Sequence, residues 1–154
     1  MIKAIILDMA GVYFFNYTPN VAIMLKQQHG LDEAMIMDAI GEMDKRGEVG
    51  KITSNQYFAG IIKKLGLKMT PEHLASIFKK HIILDFEVYD LTKILKSKGY
   101  KLAVLSNSMK EISDYMRKSF DMEHFDAIIF SNEIKVRKRG RPARRPLRIT
   151  CAVS

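Results

Sequence analysis

The chain of 154 residues has a single cysteine, Cys151. One cysteine excludes an internal disulfide and a cysteine-based zinc site. No apolar run approaches the ~18 residues of a membrane span, so no membrane partner is expected. The four histidines, His29, His73, His81 and His124, lack metal-ligand spacing and read as ordinary. There is no internal repeat, and no low-complexity tract before residue 139. Met1-Ile2-Lys3 leads straight into an apolar segment without the layout of a signal peptide, so a cytoplasmic location is expected. Acid is missing from one region: residues 139–154 hold five Arg, no Lys and neither Asp nor Glu. Residues 1–138 hold 20 Lys+Arg, only three of them Arg, against 17 Asp+Glu. The body is therefore close to neutral, and its composition gives no reason to expect nucleic acid there.

What the chain does have is 47% apolar residues, ordinary for one globular domain with a small appendage. Ile5-Ile6-Leu7, led by Ile2, ends in Asp8, then Met9-Ala10-Gly11. This is the pattern of a buried parallel strand delivering a carboxylate to its C-terminal end, where open α/β sheets place ligands. Gly11 lets the backbone turn sharply and approach a ligand. The plainer alternative is an Asp capping a turn. Leu102–Leu105 is a second apolar strand, ending in Ser106-Asn107-Ser108, and Asp126–Phe130 is a third, followed by Ser131-Asn132-Glu133 and Lys138. Between the first two strands, apolar stripes at helical spacing predict four short helices over about residues 19–82. Gly30 stops the first, and Asp32 caps the second. Thr53 to Gln56 is a capping box for the third, and Thr70-Pro71 opens the fourth. Val88, Leu91, Ile94 and Leu95 mark a further helix before Gly99. Ser108 with Glu111 reads as a capping box for a helix carrying Ile112, Tyr115 and Met116.

Strand-Asp, strand-Ser-Asn, strand-Ser-x-Glu and a lysine seven residues past Ser131, with a helical insert after the first strand, resembles the haloacid dehalogenase (HAD) superfamily over about residues 1–138. The resemblance implies an α/β fold: a Rossmann-like, three-layer parallel sheet built from residues 1–15 and 83–138, with a small helical cap at 16–82. It implies a hydrolase that moves a phosphoryl group from a small phosphorylated metabolite through an aspartyl-phosphate on Asp8. Ser106 would hold the transferring oxygens, Lys138 would add positive charge, and Gly11 and Asn107 would complete the phosphate site. Mg²⁺ would sit on Asp8 and the main-chain carbonyl of Ala10. Surface solvation is the plainer alternative for Lys138, which lies in a basic run, and helix capping for Ser106 and Ser108.

Two departures from the family pattern bear on activity. Phosphatases of the family carry a second Asp two residues after the nucleophile, as general acid and base; here that position is Ala10. Losing such a group costs about 10²–10⁴ in rate. The phosphonate-cleaving branch has Ala there and uses a cap lysine, but nothing singles out Lys51, Lys63 or Lys64. The later strand with its acidic metal motif is also missing, which suggests a chain truncated or frame-shifted after Lys138. Its absence would leave the first strand's apolar edge unpaired and prone to self-association. The expectation is thus an impaired HAD-type hydrolase, with a non-catalytic HAD-fold protein as an alternative. Another alternative is minor-groove DNA binding through Arg139-Gly140-Arg141-Pro142, which resembles the core of an AT-hook, in a tail (139–154) expected to be disordered.

Overall fold

A computed structural model describes residues 2–138. The AT-hook-like segment, the rest of the basic tail and Cys151 lie outside the described residues. The elements are β1 (Ala4–Leu7), α1 (Tyr17–His29), α2 (Glu33–Gly47), α3 (Ser54–Leu65), α4 (Pro71–Lys80), α5 (Phe86–Ser97), β2 (Lys101–Ser106), α6 (Lys110–Ser119), β3 (Ala127–Phe130) and α7 (Ser131–Ile134). The strands pair in parallel in the order β1-β2-β3, with Leu7 opposite Val104 and Ser106 opposite Phe130. The fold is α/β and Rossmann-like. Parallel pairing brings the C-terminal ends of all three strands to one edge, so Asp8, Ser106 and Ser131 become neighbours although up to 123 positions apart in the chain.

The helices between β1 and β2 form where local chemistry allows. Asp32 accepts from the backbone N–H groups of Ala34 and Met35, and Thr53 and Gln56 make a reciprocal capping box. Thr70 accepts from the His73 N–H with Pro71 in the first turn. The helices bury Val21, Leu25, Ile36, Ile40, Phe58, Ile61, Leu74 and Phe78 against one another. That apolar area supplies the main stabilisation, since helices this short are marginal alone. The loop after β1 is fully packed: Met9, Tyr13 and Phe14 have no exposed surface, and Phe14 stacks edge-on against Phe120 at 4.7 Å.

Three local expectations need correction. The first helix begins at Tyr17, four residues before its apolar stripe, because Pro19 is tolerated in a first turn whose N–H groups have no intrahelical partner. The expected Ser108–Glu111 capping box does not form. α6 is preceded by Met109 with no side-chain cap, because Ser108 is drawn into a buried network and Glu111 pairs with Lys79. The α5 stripe is apolar but only partly inward: Leu91 and Ile94 are exposed. β1 has a single strand neighbour among the described residues, and Ile6 on it is 67% exposed.

Candidate active site

Asp8 stands immediately past β1. Its Oδ1 accepts from its neighbour Met9 N–H at 2.8 Å and from the Ser106 hydroxyl at 3.0 Å. Its Oδ2 is ion-paired with the Lys138 ammonium, which also donates to the Leu105 carbonyl at 3.1 Å. Both ends of that ion pair keep about a third of their side-chain surface open to solvent. Ser106 is buried where β2 ends. Asp8, Ser106 and Lys138, separated by 98 and 32 positions, thus converge on one carboxylate.

Asn107 and Gly11 have different places from those expected of phosphate ligands. The Asn107 side chain holds the Lys138 backbone from both sides, accepting from its N–H at 2.9 Å and donating to its carbonyl at 3.1 Å. These bonds fix the backbone at Lys138. The Gly11 N–H is spent inside the loop on the Phe14 carbonyl at 2.7 Å, and Gly11 has φ +77°, so its contribution is the turn itself. Behind the site, the Ser131 hydroxyl accepts from the Ser108 N–H at 3.1 Å. Asn132 donates to the Ser108 carbonyl at 2.8 Å and to the Ser113 hydroxyl at 3.0 Å. This buried network ties the ends of β2 and β3 to α6 with its polar groups satisfied.

A pocket of about 100 Å³ adjoins the site. Ala10, Asn107 and Ser108 form one wall, and Tyr17, Asp44, Glu48, Tyr57 and Phe78 from the helices face them. Lys51, Lys63 and Lys64 are not among its lining residues; Lys64 pairs with Asp38 and Glu42 instead. The Tyr57 hydroxyl donates to Asp44 at 2.7 Å, and Arg137 pairs with Glu48 at 2.5 Å. Nothing in the motif pattern pointed to these groups. The available signal was local: Asp44 and Glu48 are like charges four apart at the C-terminal end of a helix, a doubly unfavourable placement.

Burial raises the Asp44 carboxyl, against the Tyr57 hydrogen bond. Burial also pushes Glu48 up to about 7, helped by Asp44 and opposed by Arg137. Unfolded Glu48 releases its proton near 4.5, so between about 4.5 and about 7 the folded chain holds more protons. Stability from this group is therefore lost as pH rises through that window and is level above it. Glu48→Gln is expected to unfold at higher urea than the parent at pH 8, by about 2–3 kcal/mol, with the gap shrinking toward pH 5. A gap that is zero at both pH values would contradict the burial of this charge.

The resident groups do not by themselves fit Mg²⁺. Among the described residues no three His, Cys, Asp or Glu side chains cluster as a metal set, and Asp8 Oδ2 already faces an ammonium. Asp8 and one carbonyl fall well short of octahedral oxygen ligation.

No family model matches the sequence, and no curated protein matches it. Solved structures do. The HAD-family enzyme BT-2542 from Bacteroides thetaiotaomicron is similar with a TM-score of 0.68 at 18% identity, over 89% of this chain and 72% of that one. Its wild-type complex with magnesium and inorganic phosphate gives 0.66 at 21% identity, over 90% and 73%. The L-2-haloacid dehalogenase from Xanthobacter autotrophicus, with chloropropionic acid covalently bound, gives 0.59 at 18% identity, over 88% and 59%. The chain has the fold of the HAD-like hydrolases. No helix among the described residues is long and apolar enough to cross a membrane.

Proposed function

We propose that this chain is a slow HAD-type hydrolase that takes a phosphoryl group from a small phosphorylated metabolite onto Asp8. The observation that carries the reading is the convergence of Asp8, Ser106 and Lys138 at the C-terminal edge of the sheet. We assign residues 1–15 and 83–138 to the core and 16–82 to the cap. One Asp8 oxygen attacks phosphorus as the bond to the leaving oxygen breaks, and water later releases phosphate and regenerates the carboxylate. Like charges repel a carboxylate from a phosphate dianion, so the site needs a cation. Lys138, held in place by Asn107 and Leu105, supplies it, and the Ser106 hydroxyl can turn from Asp8 to the transferring oxygens. Ala10 offers the leaving group no proton, which is the reason for slowness. That the structurally similar BT-2542 is in complex with magnesium and inorganic phosphate supports a phosphate ligand for this chain. The test is phosphate release from an aryl phosphate, measured across a Mg²⁺ titration. Release above the protein-free rate is expected, and none at any metal concentration would contradict the hydrolase reading. Ala10 also favours a second reading, a non-catalytic protein of the same fold that binds a phosphorylated ligand. Phosphate binding without release would select it.

The partner surface follows from β1. Ile6 on its edge, Ile2 before it, and Phe86 on α5 are more than half exposed. Among the described residues one edge of β1 has no strand neighbour, and such an edge is a template for pairing with another chain. Self-association is expected in light scattering, with Ile6→Lys reducing it. A monodisperse monomer with a sharp melt would contradict this.

A further inference from the structure

We propose that the pocket beside Asp8 takes the ammonium end of a small phosphorylated primary amine, with Asp44 as its counter-charge. This rests on the phosphoryl-transfer reading and names the substrate class for the same site. Ala10, two residues past Asp8, and Asn107, next to Ser106, both line the pocket, so it lies beside the place where the far end of a phosphate ester on Asp8 would extend. A pocket of about 100 Å³ has room for a short end group, such as a two-carbon amine.

The charges decide what that end must be. Lys138 is matched by Asp8, and Arg137 by Glu48. Among the described residues Asp44 has the neutral Tyr57 hydroxyl as its hydrogen-bond partner, so when both acids are ionised two carboxylates share the Arg137 guanidinium. A half-buried carboxylate without a full counter-charge is costly. Here it also repels Glu48 four residues on and faces the negative end of α2. The Tyr57 hydrogen bond and the Arg137 pair offset part of these costs, and one bound ammonium would offset the rest. The Tyr17, Tyr57 and Phe78 rings in the same wall favour a cation over a neutral polyol. A primary ammonium satisfies the carboxylates better than a methylated one because it brings N–H donors.

Calorimetry on the full chain, with Mg²⁺ present throughout, compares inorganic phosphate, n-propyl phosphate and 2-aminoethyl phosphate. The amine is expected to bind about tenfold more tightly than its propyl isostere. In Asp44→Asn that ratio should fall toward one while inorganic phosphate binds as before. If Asp44→Asn does not fold, Glu48→Gln reads the same fall. Equal affinity for the two esters, with inorganic phosphate still bound, overturns the inference and leaves the phosphoryl reading standing. A ratio unchanged by either variant also overturns it. No binding of inorganic phosphate removes both.

Discussion

Ala10→Asp is expected to raise phosphate release by about 10²- to 10⁴-fold, the range a positioned general acid and base supplies. Ala10 stands two residues past Asp8 and forms the pocket wall with Asn107 and Ser108. A carboxyl there reaches toward the leaving oxygen. It would also lie near Asp8, Asp44 and Glu48, whose negative charge raises its affinity for a proton and keeps a share of it in the acid form at neutral pH. With alkyl phosphates, whose alkoxide is a poor leaving group, the gain should come through the acid as well as the base, whereas with aryl phosphates, which depart without help, it should come from hydrolysis of the aspartyl-phosphate alone. Initial rates on the two ester classes check this. A folded variant with no gain on the alkyl ester would mean that the leaving group does not lie over Ala10.

Asp8→Asn is expected to abolish release from either ester, a loss of about 10⁴-fold or more for a missing nucleophile, measured against Ala10→Asp as the active parent. The substitution separates chemistry from folding. Asn keeps an oxygen where Oδ1 accepts from Ser106 and Met9, and Lys138 keeps the Leu105 carbonyl. The Asp8–Lys138 pair is partly solvated, so its loss moves the melting temperature little. A rate unchanged in a variant with a near-parental melt would show that Asp8 is the structural end of a strand and no more.

Much of this site was legible in the sequence because strand ends in a parallel sheet obey a simple rule. An apolar run that stops at Asp8, another at Ser106 and a third at Ser131 must meet at one edge if the strands are parallel, and they do. Helix caps were legible at Asp32, Thr53 and Thr70 because they need only their own next three residues. Ser108 had the same local signature and did otherwise, since burial beside Ser131 and Asn132 outweighs a cap that water can replace. Asn107 was expected at the phosphate site, but its hold on the Lys138 backbone was not legible, because that backbone lies 31 positions away. The Asp44–Glu48 pocket stayed hidden. Asp44-Lys45-Arg46-Gly47-Glu48 shows like charges four apart at a helix end, but only packing beside Tyr17, Tyr57 and Phe78 makes its acids half-buried.

On the proposed reading Asp8 accepts a phosphoryl group. Ala10 makes that step open to direct observation. An aryl leaving group needs no acid, so Asp8 can be phosphorylated, whereas hydrolysis of the aspartyl-phosphate needs a base that Ala10 cannot provide. The intermediate should therefore accumulate. Acid quenching after incubation with an aryl phosphate, followed by intact-mass measurement, is expected to show an added phosphoryl of about 80 Da. Peptide mapping should place it on Asp8, and Ala10→Asp should lower its level while turnover rises. An aryl alcohol released with no adduct, or an adduct on another residue, would contradict nucleophilic attack by Asp8.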